Sequence, residues 1–171
     1  MKEQADWSLK MAKVQVESVP EVLRKIREIS RSHCIRIVCM NATMMAGRSH
    51  AEEAIRQALL AEKEGTMTAR SLEMEVLLYA SGQRQTSLAM NFGLHEGEMT
   101  TWIGLIPHSG EVWGELAEFM TIINDEEEIP PDRILLLQEL FGITDKEIET
   151  VGTRRINELV IERTALLNVL K

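Results

Sequence analysis

A change of hydrophobic period within the first forty-one residues limits what this chain can become. Residues 8–16 (Ser-Leu-Lys-Met-Ala-Lys-Val-Gln-Val) largely alternate apolar and polar side chains, the two-residue period of a half-buried strand. From Val19-Pro20 the spacing lengthens. Val22, Leu23, Ile26 and Ile29 fit one face of a helix, and Pro20 is tolerated in its first turn. Cys34-Ile35-Arg36-Ile37-Val38-Cys39-Met40 is short, apolar and β-branched, so the period returns to that of a strand, ending at Asn41.

The rest of the chain adds helices and two more strands. Ser49 with Glu52 three residues on has the form of a capping box, and Ala51, Ala54, Ile55, Ala58, Leu59 and Ala61 give a small-residue face. Gly65 closes that helix, and Thr66-Met67-Thr68 starts another that stops at Ser81-Gly82. A third runs from Gln83 to Phe92, with Gly93 after it. Residues 98–106 read as a strand cut off by Pro107, 113–120 as a helix, and 121–123 as a short edge strand. Asp125-Glu126-Glu127-Glu128 before Pro130-Pro131 is an acidic loop. The tail is helical: 131–141 closed by Gly142, a Thr144/Glu147 capping box, then a long helix from about 153 to 170. There is no internal repeat and no Ser/Gly-rich linker. The expectation is one α+β domain over 1–171: a small, mostly antiparallel sheet packed with several helices, with a helical C-terminal part.

Composition narrows the function. At 171 residues the chain can bury a core without disulfide or metal. Its net charge of −8 argues against a nucleic-acid binder that uses its whole surface, but leaves room for a small local RNA site. The charge is split. Residues 1–50 carry nine Lys/Arg against five Asp/Glu, and residues 51–171 ten against twenty-two. Two different neighbours would explain this, as would simple solvated faces. Cys34 and Cys39, five apart in one strand, point to opposite faces and read as buried free thiols of a reducing compartment. No signal-peptide core and no run of about 20 apolar residues is present, so the expected location is cytoplasmic, away from membranes.

Nothing demands an enzyme. His33, His50, His95 and His108 lack metal-pair spacing, and no phosphate loop or nucleophile elbow occurs. No metal or cofactor is expected. Glu52-Glu53 and Glu73/Glu75 read as solvated helix faces. The unusual stretch is 41–85. Its turn at Ser81-Gly82 would aim helix N–H groups outward, Arg84 and Gln85 would add donors in the first turn, and Tyr79 offers a ring for a base. Arg48 stands before a second helix N-terminus, and Arg70 in the first turn of the helix ending at this junction. The bland alternative is an ordinary helix C-cap whose arginines meet carboxylates.

These blocks carry a family likeness. Asn41…Ala46-Gly47-Arg48-Ser49-His50-Ala51, Ala69-Arg70-Ser71-Leu72-Glu73, Leu77-Leu78-Tyr79-Ala80-Ser81-Gly82-Gln83-Arg84-Gln85, and the tail Glu158–Leu167 resemble the kinase-binding regulatory subunit of the KEOPS (EKC) tRNA-modification complex. The resemblance implies a non-catalytic subunit that binds the small atypical kinase/ATPase of that complex, and meets its other subunits indirectly. The assembly makes N6-threonylcarbamoyladenosine in tRNA. In archaeal members the subunit also holds the single-stranded 3′ CCA end. Carried over, Arg48, Arg70, Tyr79, Ser81, Gly82, Arg84 and Gln85 are the expected tRNA contacts. For the kinase interface the expectation is the apolar stripe of the last helix: Ile156, Leu159, Val160, Arg163 and Leu166, continued by Leu167 and Leu170; the alternative is that the whole stripe packs on the sheet. Two alternatives stay open: a kinase regulator with no RNA role, and a small-molecule enzyme with a pocket at the Ser81-Gly82 turn.

Overall fold

The computed structural model describes residues 6–125 and 128–170, the last three of these as backbone only. Strand β1 (Ser8–Val16) leads through helix α1 (Val19–His33) to β2 (Arg36–Asn41). These strands do not pair with each other. β3 (Gly97–Ile106) lies between them, antiparallel to both, and β4 (Thr121–Ile123) extends the sheet beyond β1 in the order β2-β3-β1-β4. β1 and β2 are therefore parallel, joined by α1 as a β-α-β unit split by an inserted strand. The fold is α+β, with every paired neighbour antiparallel.

Alternation along the strands builds two cores. Val14, Val16, Ile37, Ile103 and Leu105 face α1 and α5 (Gly110–Leu116). Met11, Val38, Met40 and Trp102 face the other layer, made by α2 (Arg48–Glu64), α3 (Leu72–Ser81), α6 (Pro131–Phe141) and α8 (Ile156–Leu170). Because both faces are covered, β2 and β3 read as nearly continuous apolar runs. The small-residue face of α2 is real: Ala51, Ala54, Ala58 and Ala61 are all buried. It lets Ile55 reach the sheet at Gly104, where a Cβ would lie 2.9 Å from Ile55 Cδ1. The remaining helices are α4 (Thr86–Ala89) and α7 (Asp145–Val151). No described helix is long and apolar enough to cross a membrane.

Several local expectations are corrected. Helix α2 begins at Arg48 on Gly47, whose φ of +84° few other residues adopt, and no side chain caps it. Ser49 lies inside the helix, where its hydroxyl accepts from Asn157 Nδ2 at 2.9 Å, so it forms no capping box with Glu52. Helix α3 starts at Leu72, capped by Ser71, and 66–71 is loop. The helix after Gly82 starts only at Thr86, and α5 ends at Leu116. Cys34 is exposed and ends α1 in the left-handed conformation; only Cys39 belongs to β2. Burial pushes the Cys39 thiol up to about 12. The 131–141 helix closed by Gly142 and the Thr144/Glu147 capping box form as the sequence predicts. The last helix proper begins at Ile156, after a tight turn at 153–155.

Candidate nucleic-acid interface and the partner helix

The end of α3 is built from buried groups. Gly82, at φ +68°, closes the helix by donating its N–H to Leu78 O at 2.9 Å. The Ser81 hydroxyl is buried. It donates to Leu78 O and accepts from Gln83 N, both at 3.1 Å, which rounds the corner. A Cβ on Gly82 would sit 3.4 Å from Thr164 Cα, so the turn rests directly on the α8 backbone. Beneath it lies His50, 1% exposed. Its Nδ1 accepts from Ala46 N at 2.9 Å, which leaves Nε2–H to donate to Ala80 O at 2.8 Å. Burial lowers its pKa to about 4, so the ring is neutral and ties the start of α2 to the end of α3.

Glu75 shapes the other wall. It is fully buried, and its carboxylate accepts from Thr68 N at 2.9 and 3.0 Å and from Ala69 N at 3.1 Å. This corrects its reading as part of a solvated face. The contacts fold loop 66–71 back along α3, so that Thr68 meets Arg84 and Gln85 around a cleft of about 430 Å³ with Leu78 and Leu167. A neighbouring cleft of about 490 Å³ is shared by Thr68, Gln57 and Tyr79.

The expected tRNA contacts divide accordingly. Arg84 and Gln85 are exposed and adjacent, and Arg84 makes no hydrogen bond or ion pair among the described residues. Arg70 is exposed on its loop but lines neither cleft. Tyr79 is 3% exposed, because its ring packs into the core, so no base can stack on its face without rearrangement. Ser81 and Gly82 support the turn from below. Arg48 lies elsewhere. It pairs with Asp125 at 2.5 Å and Glu52 at 3.4 Å, donates to Leu9 O at 2.8 Å and sits over the Trp102 ring. Asp125 raises its pKa further, and its cleft of about 500 Å³ is shared with Arg154 and Asn157.

The partner stripe of α8 is corrected as well. Ile156, Leu159, Val160 and Leu167 are buried against α2, α3 and α6, and serve the core of this chain. Arg163 bonds Glu147 at 2.6 and 2.7 Å, pinning α7 to α8 and holding that carboxyl below its usual range. Leu166 is 54% exposed, and the side chain of Leu170 lies outside the described residues.

His50 and Glu75 escaped sequence reasoning. For Glu75 a signal existed: Leu72, Glu75, Val76 and Tyr79 follow the spacing of one buried helical face. Among the described residues no cluster of His, Cys, Asp and Glu could hold a metal ion.

The family described as "Kinase binding protein CGI-121" matches residues 14–168, which take in the end of β1, the other three strands, the α3 turn and nearly all of α8. The chain is also 30% identical over 140 residues to "Regulatory protein Cgi121" of Methanocaldococcus jannaschii, covering 80% of this chain and 86% of that protein. A match this long runs through the buried residues of both cores as well as the exposed turn at 82–85. The chain therefore belongs to the kinase-binding CGI-121 family.

Proposed function

We propose that this protein is a non-catalytic, cytoplasmic subunit of a KEOPS-type tRNA-modification assembly. It binds and activates the small atypical kinase/ATPase of the assembly, and helps to hold the unpaired 3′ CCA end of tRNA for N6-threonylcarbamoyladenosine formation. Family membership supports the kinase partner. The observation that carries the RNA half is Arg84: an exposed guanidinium with no ion pair among the described residues, beside Gln85 on the cleft that Thr68 closes.

With Tyr79 and Ser81 buried, recognition falls to the rim. The Arg84 fork can clasp a phosphate or lie on a base, and the Gln85 amide can read a base edge. Thr68 closes the opposite side, and Arg70 adds charge nearby. Arg48 is left to its structural pairs.

Arg84→Glu tests this. Binding of tRNA should fall by at least about tenfold while kinase binding and folding persist. Wild-type protein should bind tRNA lacking its 3′ CCA far more weakly than intact tRNA. Equal binding of both tRNAs would favour the second reading, a kinase regulator without its own RNA role, for which the burial of Tyr79 speaks.

A further inference from the structure

The sheet ends on β4, three residues long, at one side and on the longer β2 at the other. β2 pairs with β3 along 36–41, and among the described residues no strand adjoins its other side. In an antiparallel ladder alternate residues turn both N–H and C=O away from the partner strand. Among the described residues, no backbone group of 37–39 bonds to anything outside that ladder. At least one residue there thus presents an unpaired donor and acceptor.

This edge is not bare. A cavity of about 510 Å³ runs along it, lined by Ile37, Val38 and Cys39 in succession. Successive strand residues point to opposite faces, so all three can line one cavity only if it follows the strand's edge. Leu23 of α1 forms one wall; Met74 and Leu77 of α3 form the other, and Met90, 60% exposed, stands at the rim. Natural edges are blunted by proline, bulges or inward charges, and β2 has none of these between 37 and 40. Unpaired backbone groups beside apolar walls call for a ligand that brings its own main chain.

Charge selects the ligand. Arg27 and Arg31 lie on the α1 rim, both exposed and, among the described residues, neither in an ion pair; against these two cations the cavity is lined by one acidic residue, Glu73 on the α3 wall. They belong to the basic first fifty residues, the half of the charge split that the RNA reading leaves unexplained. Pairing of β2 with a second copy about a two-fold axis normal to the sheet would set two such arginine rims side by side. We propose that the open edge of β2, between α1 and α3, docks an extended acidic segment of a partner protein, which joins the sheet as a further strand.

The probe is a peptide matched to the six residues of β2, alternating valine with aspartate or glutamate, acetylated and amidated. Titrated into the full chain, it should shift the amide signals of 37–39 and slow their hydrogen exchange. An analogue N-methylated on alternate residues, or one with lysine for the acids, should bind at least about tenfold more weakly. Arg27→Glu/Arg31→Glu, both exposed, should reverse the preference between the acidic and lysine peptides with folding intact. Arg84→Glu should leave peptide binding unchanged, which separates this proposal from the RNA reading. No binding, binding insensitive to N-methylation of either alternate set, or a peptide-free dimer with protected β2 amides would overturn it.

Discussion

Two buried polar residues define this protein at the scale of single side chains. His50 is held neutral between Ala46 N and Ala80 O, with its pKa lowered to about 4 by burial. Its stability contribution is therefore complete above the unfolded value near 6.5, and is lost as pH falls from there towards 4, because only the unfolded chain takes up the proton. That linkage is worth on the order of 3 kcal/mol. Denaturant unfolding at pH 7, 5.5 and 4 should show a steeper loss for the wild type than for His50→Gln, which has no proton to gain. Glu75 stands in the opposite position, a buried carboxylate satisfied by the backbone N–H groups of Thr68 and Ala69. Glu75→Ala should cost about 3 kcal/mol by leaving those donors unpaired. It should also speed hydrogen exchange at Thr68 and Ala69, and open the cleft beneath Arg84.

Among the elements, α2 comes close to β3 at Gly104. The alanine face of α2 lets Ile55 lie against Gly104, so Gly104→Ala should overpack the interface by about 1–3 kcal/mol. The clash falls on the end of a flexible side chain. Shortening it in the double variant Gly104→Ala/Ile55→Val should therefore recover part of the loss, and a thermal-unfolding cycle of the four proteins would measure the coupling. The same scale explains where sequence patterns misplaced elements. Thr66-Met67-Thr68 looked able to start a helix, but the Ser71 cap and the Glu75 carboxylate compete for that backbone and win. The Thr144/Glu147 box was legible because every partner lies within one turn.

Over the whole molecule, the net charge of −8 and the exposed Arg84 of the 82–85 turn set how the proposed RNA binding would respond to salt. A site with roughly two to four phosphate contacts on a single strand gives a slope of log K against log salt of about −1.5 to −3. Titrations of tRNA at several salt concentrations should return a value in that range. A much steeper slope would mean a broad basic surface, which the acidic C-terminal two-thirds does not offer. The two proposed sites follow the same division: the α3 turn for RNA, and the basic α1–β2 side for an acidic segment.

The α+β class, the strands at 8–16 and 98–106 and the 131–141 helix were readable from residue order, because period, caps and turn residues act over a few positions. The blocks around 77–85 also identified the family before any fold was built. Which side of a residue meets solvent was not readable. Tyr79 on α3 and Ile156, Leu159 and Val160 on α8 look like surface or core equally well in one dimension. Packing of α8 on α3 buried them all and left Arg84, Gln85 and Leu166 outside. Insertion of β3 between β1 and β2 likewise depends on pairings sixty or more residues apart, and it leaves the edge of β2 open. Burial and pairing of this kind are settled by distant contacts, which no local pattern encodes.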